Sequence, residues 1–187
     1  MFSAEKFVKM HERKLLLIVR FLVIFNLLAI PMYLILISGT TLPALQEVTT
    51  DVVFAIFRAL GYSAERAGFT ITFTAPLQAS IVIDTDCTGW KSMYAFAALV
   101  VATPFAMGRK KRSMIVAMGV AVLFLLNIVR IVSTVVAAVA FGIATLDVVH
   151  TLLWREGMIL AVLALWVISV RPYAEHARRG PEKAADI

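Results

Sequence analysis

Four long apolar runs alternate with polar or basic stretches along the chain, and their lengths predict its architecture. The first run, 15–37, follows Lys6, Lys9, Arg13 and Lys14. At about 23 residues it exceeds the core of a signal peptide and lacks a small-residue cleavage site, so it predicts a retained transmembrane helix, bent near its outer end by Pro31. Runs at 88–107, 114–141 and 151–170 predict three further spans. The third, about 28 residues long, is longer than a bilayer requires, so it must tilt, break or project beyond the membrane.

Between the first two spans, 38–87 carries two other periodicities. Leu45, Val48, Val52, Ile56 and Leu60 recur at spacings of three and four, with Gln46, Glu47, Asp51 and Arg58 mostly off that stripe. This predicts an amphipathic helix lying on the membrane surface and ended by Gly61. From Phe69 the period becomes two: Phe69, Ile71 and Phe73 alternate with Thr70, Thr72 and Thr74, Pro76 interrupts, and Ile81, Val82 and Ile83 follow. That pattern predicts a short β-hairpin. The expected fold is an all-α polytopic membrane protein of about four transmembrane helices, with an outer-face amphipathic helix and a short β-hairpin in one membrane domain.

Charge orients this arrangement. Of 18 lysines and arginines, 13 fall in the amino-terminal tail 1–14, at Arg20, in the loop 108–113 with Arg109, Lys110, Lys111 and Arg112, or in the tail 171–187. Positive residues favour the cytoplasmic side, so both termini are expected there and 38–87 and 142–150 outside. The chain is 61% hydrophobic and 16% charged. Its net charge of +6 therefore reads as membrane orientation rather than nucleic-acid binding, with membrane lipids as the expected surroundings. A single cysteine excludes an internal disulfide framework. No metal or cofactor is called for.

Three outer-side residues remain. Arg130 stands about 16 residues, or 24 Å, into its span, where an arginine normally faces a partner, a cavity or a site. Asn127 lies one turn earlier on the same face. The alternative is that Arg130 reaches the outer headgroups or pairs with Glu156. Cys87 sits where the hairpin enters the second span, in Asp84-Thr85-Asp86-Cys87-Thr88-Gly89-Trp90-Lys91-Ser92. A helix start favours thiolate, and the N–H groups of Thr88 or Gly89 could hold an oxyanion. Lys91 and Arg130 act in the same direction, while Asp84 and Asp86 oppose it. Taken alone, Cys87 could equally be an inert buried thiol. His150, the single histidine outside the cytoplasmic tails, begins the fourth span at the depth of Cys87 and would suit a cysteine nucleophile as base. Arg155 could assist or replace it, and Ser92 reads as a packing residue with a minor supporting role.

Cys87-Thr88-Gly89 with Ser92 shortly after, Asn127-Ile128-Val129-Arg130 late in the next span, and His150 at the start of the last resemble, in that order, the exosortase/archaeosortase family of membrane transpeptidases. The resemblance covers roughly 69–170. It implies an outward-facing Cys–Arg–His or Cys–Arg–Arg site that cleaves surface proteins near a carboxy-terminal motif, transmembrane helix and basic cluster, with transfer to a lipid or other acceptor in some members. By position it makes Cys87 the nucleophile, Arg130 the carbonyl- or thiolate-stabilising cation and His150 the acid/base, with Arg155 the alternative third residue. Many relatives have about twice as many spans, so this chain resembles a compact version. A non-enzymatic transporter or channel subunit with Arg130, Asn127 and Glu156 lining a polar path, or an assembly partner, is the competing expectation.

Overall fold

The computed structural model describes residues 4–75, 78–104, 107–142 and 156–178. The expected outer loop 142–150 beyond its first residue, the start of the fourth span at 151–155, and with them His150 and Arg155, lie outside the described residues. The elements are α1 (Ala4–Ser38), α2 (Pro43–Ala59), β1 (Ser63–Ala67), β2 (Thr70–Ala75), β3 (Ala79–Val82), a 3-10 turn (Thr85–Thr88), α3 (Trp90–Ala102), α4 (Arg109–Phe141) and α5 (Glu156–Arg178).

Among the described residues, three helical stretches are long and apolar enough to cross a membrane: Leu15–Ser38, Arg109–Phe141 and Glu156–Glu175. α1 runs through Pro31 and α5 through Pro172 without interruption. The second apolar run behaves differently, because 88–107 yields a helix only over 13 residues. That is about 20 Å at 1.5 Å per residue, shorter than the hydrocarbon core. Pro104 explains the stop: it disfavours the helical region for Thr103, which adopts ψ 123°. α4 compensates for the truncation. Arg112 donates to the carbonyls of Val101 and Thr103, both at 3.0 Å, and so satisfies the end of α3.

α4 carries two cores in succession. Its first half packs Ile115, Val116 and Leu123 among Phe96, Leu99 and Val100 of α3, Met158 and Val162 of α5, and Phe21 and Phe25 of α1. An added Cβ at Gly119 would stand 2.0 Å from Phe96 Cε1, so the glycine is what admits that buried ring to the α4 backbone. Tyr94 ties α3 to α1 by donating to the Leu28 carbonyl at 2.7 Å. The second half of α4 packs Ile128 and Val135 against Val53 and Phe57 of α2 and Ala64, Ile71 and Phe73 of the sheet. The long third run thus neither breaks nor ends early. Its surplus length is the floor on which a cap is built.

The cap is an antiparallel sheet in the order β1-β2-β3 with α2 laid against it. The expected hairpin is present as β2 and β3, paired Thr70↔Val82 through Phe73↔Ala79. Alternation turns Ile71 and Phe73 inward, and Phe57, Tyr62 and Phe73 meet edge to face at 4.9–6.0 Å. β1 adds a third strand that Ser-Ala-Glu-Arg-Ala did not announce, since only Ala64 in it is apolar enough to be buried. The amphipathic helix exists as α2, but its protein-facing side is Gln46, Thr49, Thr50, Val53 and Phe57, one residue and about 100° from the expected stripe. Val48 and Leu60 of that stripe stay exposed. Hydrogen bonds explain the displacement. Gln46 Nε2 donates to the Ile83 carbonyl at 3.1 Å, and the Thr49 and Thr50 hydroxyls each donate to the carbonyl four residues earlier at 2.7 Å. Buried polar side chains satisfied in this way do not register as apolar in a hydropathy pattern.

Candidate active site

Cys87 lies at the seam between cap and bundle, in the 3-10 turn that joins β3 to α3. Asp84 opens this turn: Cys87 N–H donates to the Asp84 carboxylate at 2.8 Å and to its carbonyl at 3.1 Å. Thr88, fully buried, closes it by donating its hydroxyl to the Thr85 carbonyl at 2.7 Å. Gly89 follows at φ +74°, a left-handed conformation that permits α3 to begin at Trp90. The Gly89 carbonyl receives the N–H groups of Ser92 and Met93. Ser92 thus joins the site through its backbone.

From the opposite side, α4 holds the turn through Asn127. This side chain is fully buried, and its Nδ2 donates to the Cys87 carbonyl at 2.8 Å. Its Oδ1 accepts from Arg130 Nη1 at 3.3 Å. A Cβ at Gly89 would stand 2.8 Å from Asn127 Cγ, so the glycine is required by close approach as well as by its backbone angle. The sequence expects Cys87, Arg130 and His150 at one face; this chain of bonds links the Cys87 turn to Arg130 through Asn127, 40 positions from Cys87, while His150 lies outside the described residues. Ser133 and Thr134 both donate to the Arg130 carbonyl, at 3.0 and 2.8 Å, an anchoring of α4 that sequence reasoning did not single out.

The electrostatics depart from the expectation of a ready thiolate. Cys87 is pushed up from 9.0 to about 11, first by burial, then by the hydrogen bond between its thiol and the Asp84 carboxylate and by that carboxylate's charge. The backbone contact to Asp84 and the Arg130 guanidinium pull the other way and do not prevail. Of the two nearby acids, Asp86 is paired with Lys91 at 2.8 Å, which leaves Asp84 as the one acting on sulfur. The Cys87 N–H is already engaged by Asp84, so it is not among the free donors that would favour a thiolate.

A family model of transmembrane exosortases (Exosortase_EpsH) matches residues 8–170. The chain belongs to the exosortase family. No curated protein and no solved structure matches it in the corresponding searches. Exosortase membership makes it a membrane protein and suggests a membrane-embedded sorting transpeptidase of the cysteine-peptidase type. The match extends from the amino-terminal part of α1 to near the middle of α5 and so takes in both cores and the seam.

Proposed function

We propose that this exosortase cleaves the carboxy-terminal sorting signal of surface proteins through a thioester on Cys87 and passes the new carboxy terminus to a lipid or another acceptor. Its termini lie in the cytoplasm and its cap and site at the outer face, as the basic clusters favour. The substrates are proteins ending in a short motif, a transmembrane helix and a basic cluster. The observation that carries the reading is the Cys87–Asn127–Arg130 chain of hydrogen bonds, which fixes the sulfur-bearing turn to the arginine-bearing helix.

The chemistry follows from the protonation of that sulfur. With the thiol at about 11, roughly one molecule in ten thousand is thiolate at pH 7, so attack needs a base at the moment of reaction. His150 takes the thiol proton while Cys87 Sγ bonds to the scissile carbonyl carbon. Arg130, with backbone N–H groups of the turn, stabilises the tetrahedral oxyanion. The C–N bond then breaks, the His150 proton leaves with the amine, and the thioester remains. An amine or hydroxyl acceptor attacks it, loses its proton to His150, and Cys87 departs as thiolate to recover that proton. Arg155 is the alternative third residue.

The test is the host surface protein carrying such a signal, followed for processing in cells that make Cys87→Ala, Arg130→Gln or His150→Ala at wild-type abundance. Loss of processing in Cys87→Ala, with a hydroxylamine-sensitive adduct on the wild type, is the expected result. Full processing by Cys87→Ala removes the nucleophile and hands the site to a non-enzymatic role.

A further inference from the structure

Among the described residues, Asp84 is the charged group bonded to the nucleophile's own backbone. Its carboxylate caps the 3-10 turn by accepting the Cys87 N–H at 2.8 Å, and it is exposed to whatever binds over the turn. Among the described residues, the charged groups on the elements packed against this turn are few. α3 presents Lys91, already paired with Asp86. α4 presents Arg130, bonded to Asn127. α2 meets the turn region through uncharged groups, the Leu42 N–H to the Thr85 hydroxyl at 3.4 Å and the Gln46 amide to the Ile83 carbonyl, while its Asp51 pairs with Arg66. Among the described residues, sulfur thus feels the Asp84 carboxylate and the Arg130 guanidinium with opposite effect.

We propose that Asp84 is a positioning residue that acts twice. It shapes the Cys87 turn, and it holds the sulfur in its neutral form until a substrate segment, by covering the turn and donating to the Asp84 carboxylate, leaves Arg130 as the dominant charge. This inference rests on Cys87 being the nucleophile. The arrangement has a chemical rationale, since a thiol on an oxidising face that ionises only under bound substrate is protected from oxidation and from wasteful hydrolysis. In this reading the carboxylate is not the base itself: the proton still leaves through His150.

The lone cysteine makes the test direct, because iodoacetamide alkylation of the full chain in detergent micelles reports one residue. Asparagine caps a turn as well as aspartate does but carries no charge. Asp84→Asn is therefore expected to move the pH midpoint of alkylation down by about one unit and to raise the rate at pH 8 about tenfold, while Asp84→Glu restores a high midpoint. Asp84→Ser, also a neutral cap, serves if the asparagine variant does not fold by circular dichroism. A midpoint unmoved in the neutral variants, or moved equally by asparagine and glutamate, overturns the proposal while leaving Cys87 as nucleophile. A Cys87→Ala protein that still processes substrate removes the reaction itself, and with it the part Asp84 plays in it.

Discussion

In the cap, Val53, Phe57, Ile71 and Phe73 close around Ile128 and Val135 of α4. In the bundle, Phe96, Val100, Met158 and Val162 close around Leu123, little more than a turn away on the same helix. The two cores differ outside more than inside. The bundle turns Leu15, Leu125, Leu160 and Ile168 outward at more than 60% exposure, surfaces suited to lipid. The cap carries Asp51, Glu65 and Arg66 on its outside and hides Gln46, Thr49 and Thr50 inside. One region is therefore ordered by removing apolar area from water, the other by close packing among helices whose outer faces stay in hydrocarbon. Asn127 falls between Leu123 of one core and Ile128 of the other, and there the polar contact to Cys87 is made.

This contrast can be broken at either end. Phe57→Ala removes the ring at the centre of the cap and should cost about 3–5 kcal/mol there. Limited proteolysis should then open 38–87 while helical circular dichroism is retained; coincident loss of both would mean the two cores are one cooperative unit. Gly119→Ala drives a methyl into Phe96 and should cost about 1–3 kcal/mol, read as a lower thermal midpoint in detergent with the cap still protease-resistant. Asn127→Ala should cost about 1–3 kcal/mol through the unpaired Cys87 carbonyl. It should lower substrate processing far more than it lowers the thermal midpoint, because it frees the turn from Arg130. Smallest is Asp51→Asn, which unlinks Arg66 on the cap surface; a change beyond ~1 kcal/mol in cap stability would show that this pair is more than a solvated contact.

The helices and the β2–β3 hairpin were legible because each has a clean period: long apolar runs for the first, strict alternation for the second. That Asn127 and Arg130 need partners was legible from cost, since polar side chains on one face of an apolar helix rarely face lipid. Three features were hidden for particular reasons. β1 is held by backbone pairing to β2 and buries a single alanine. The buried face of α2 includes hydroxyls and an amide whose hydrogen bonds replace apolarity. The protonation of Cys87 depends on the balance of burial, Asp84 and Arg130, which requires coordinates rather than the order of residues.

The short α3 is pinned to α4 at both ends, by Asn127 on the Cys87 carbonyl and by Arg112 on the Val101 and Thr103 carbonyls. Fourteen residues separate Cys87 from Val101 on one strand of this ladder and fifteen separate Arg112 from Asn127 on the other, so the rungs align only at this length. Inserting one residue into α3 would advance its far end by about 1.5 Å and swing it by about 100°, and both rungs could no longer form together. The depth of the sulfur is thereby gauged from the basic end of the bundle, with the spacing between the two pins as its ruler.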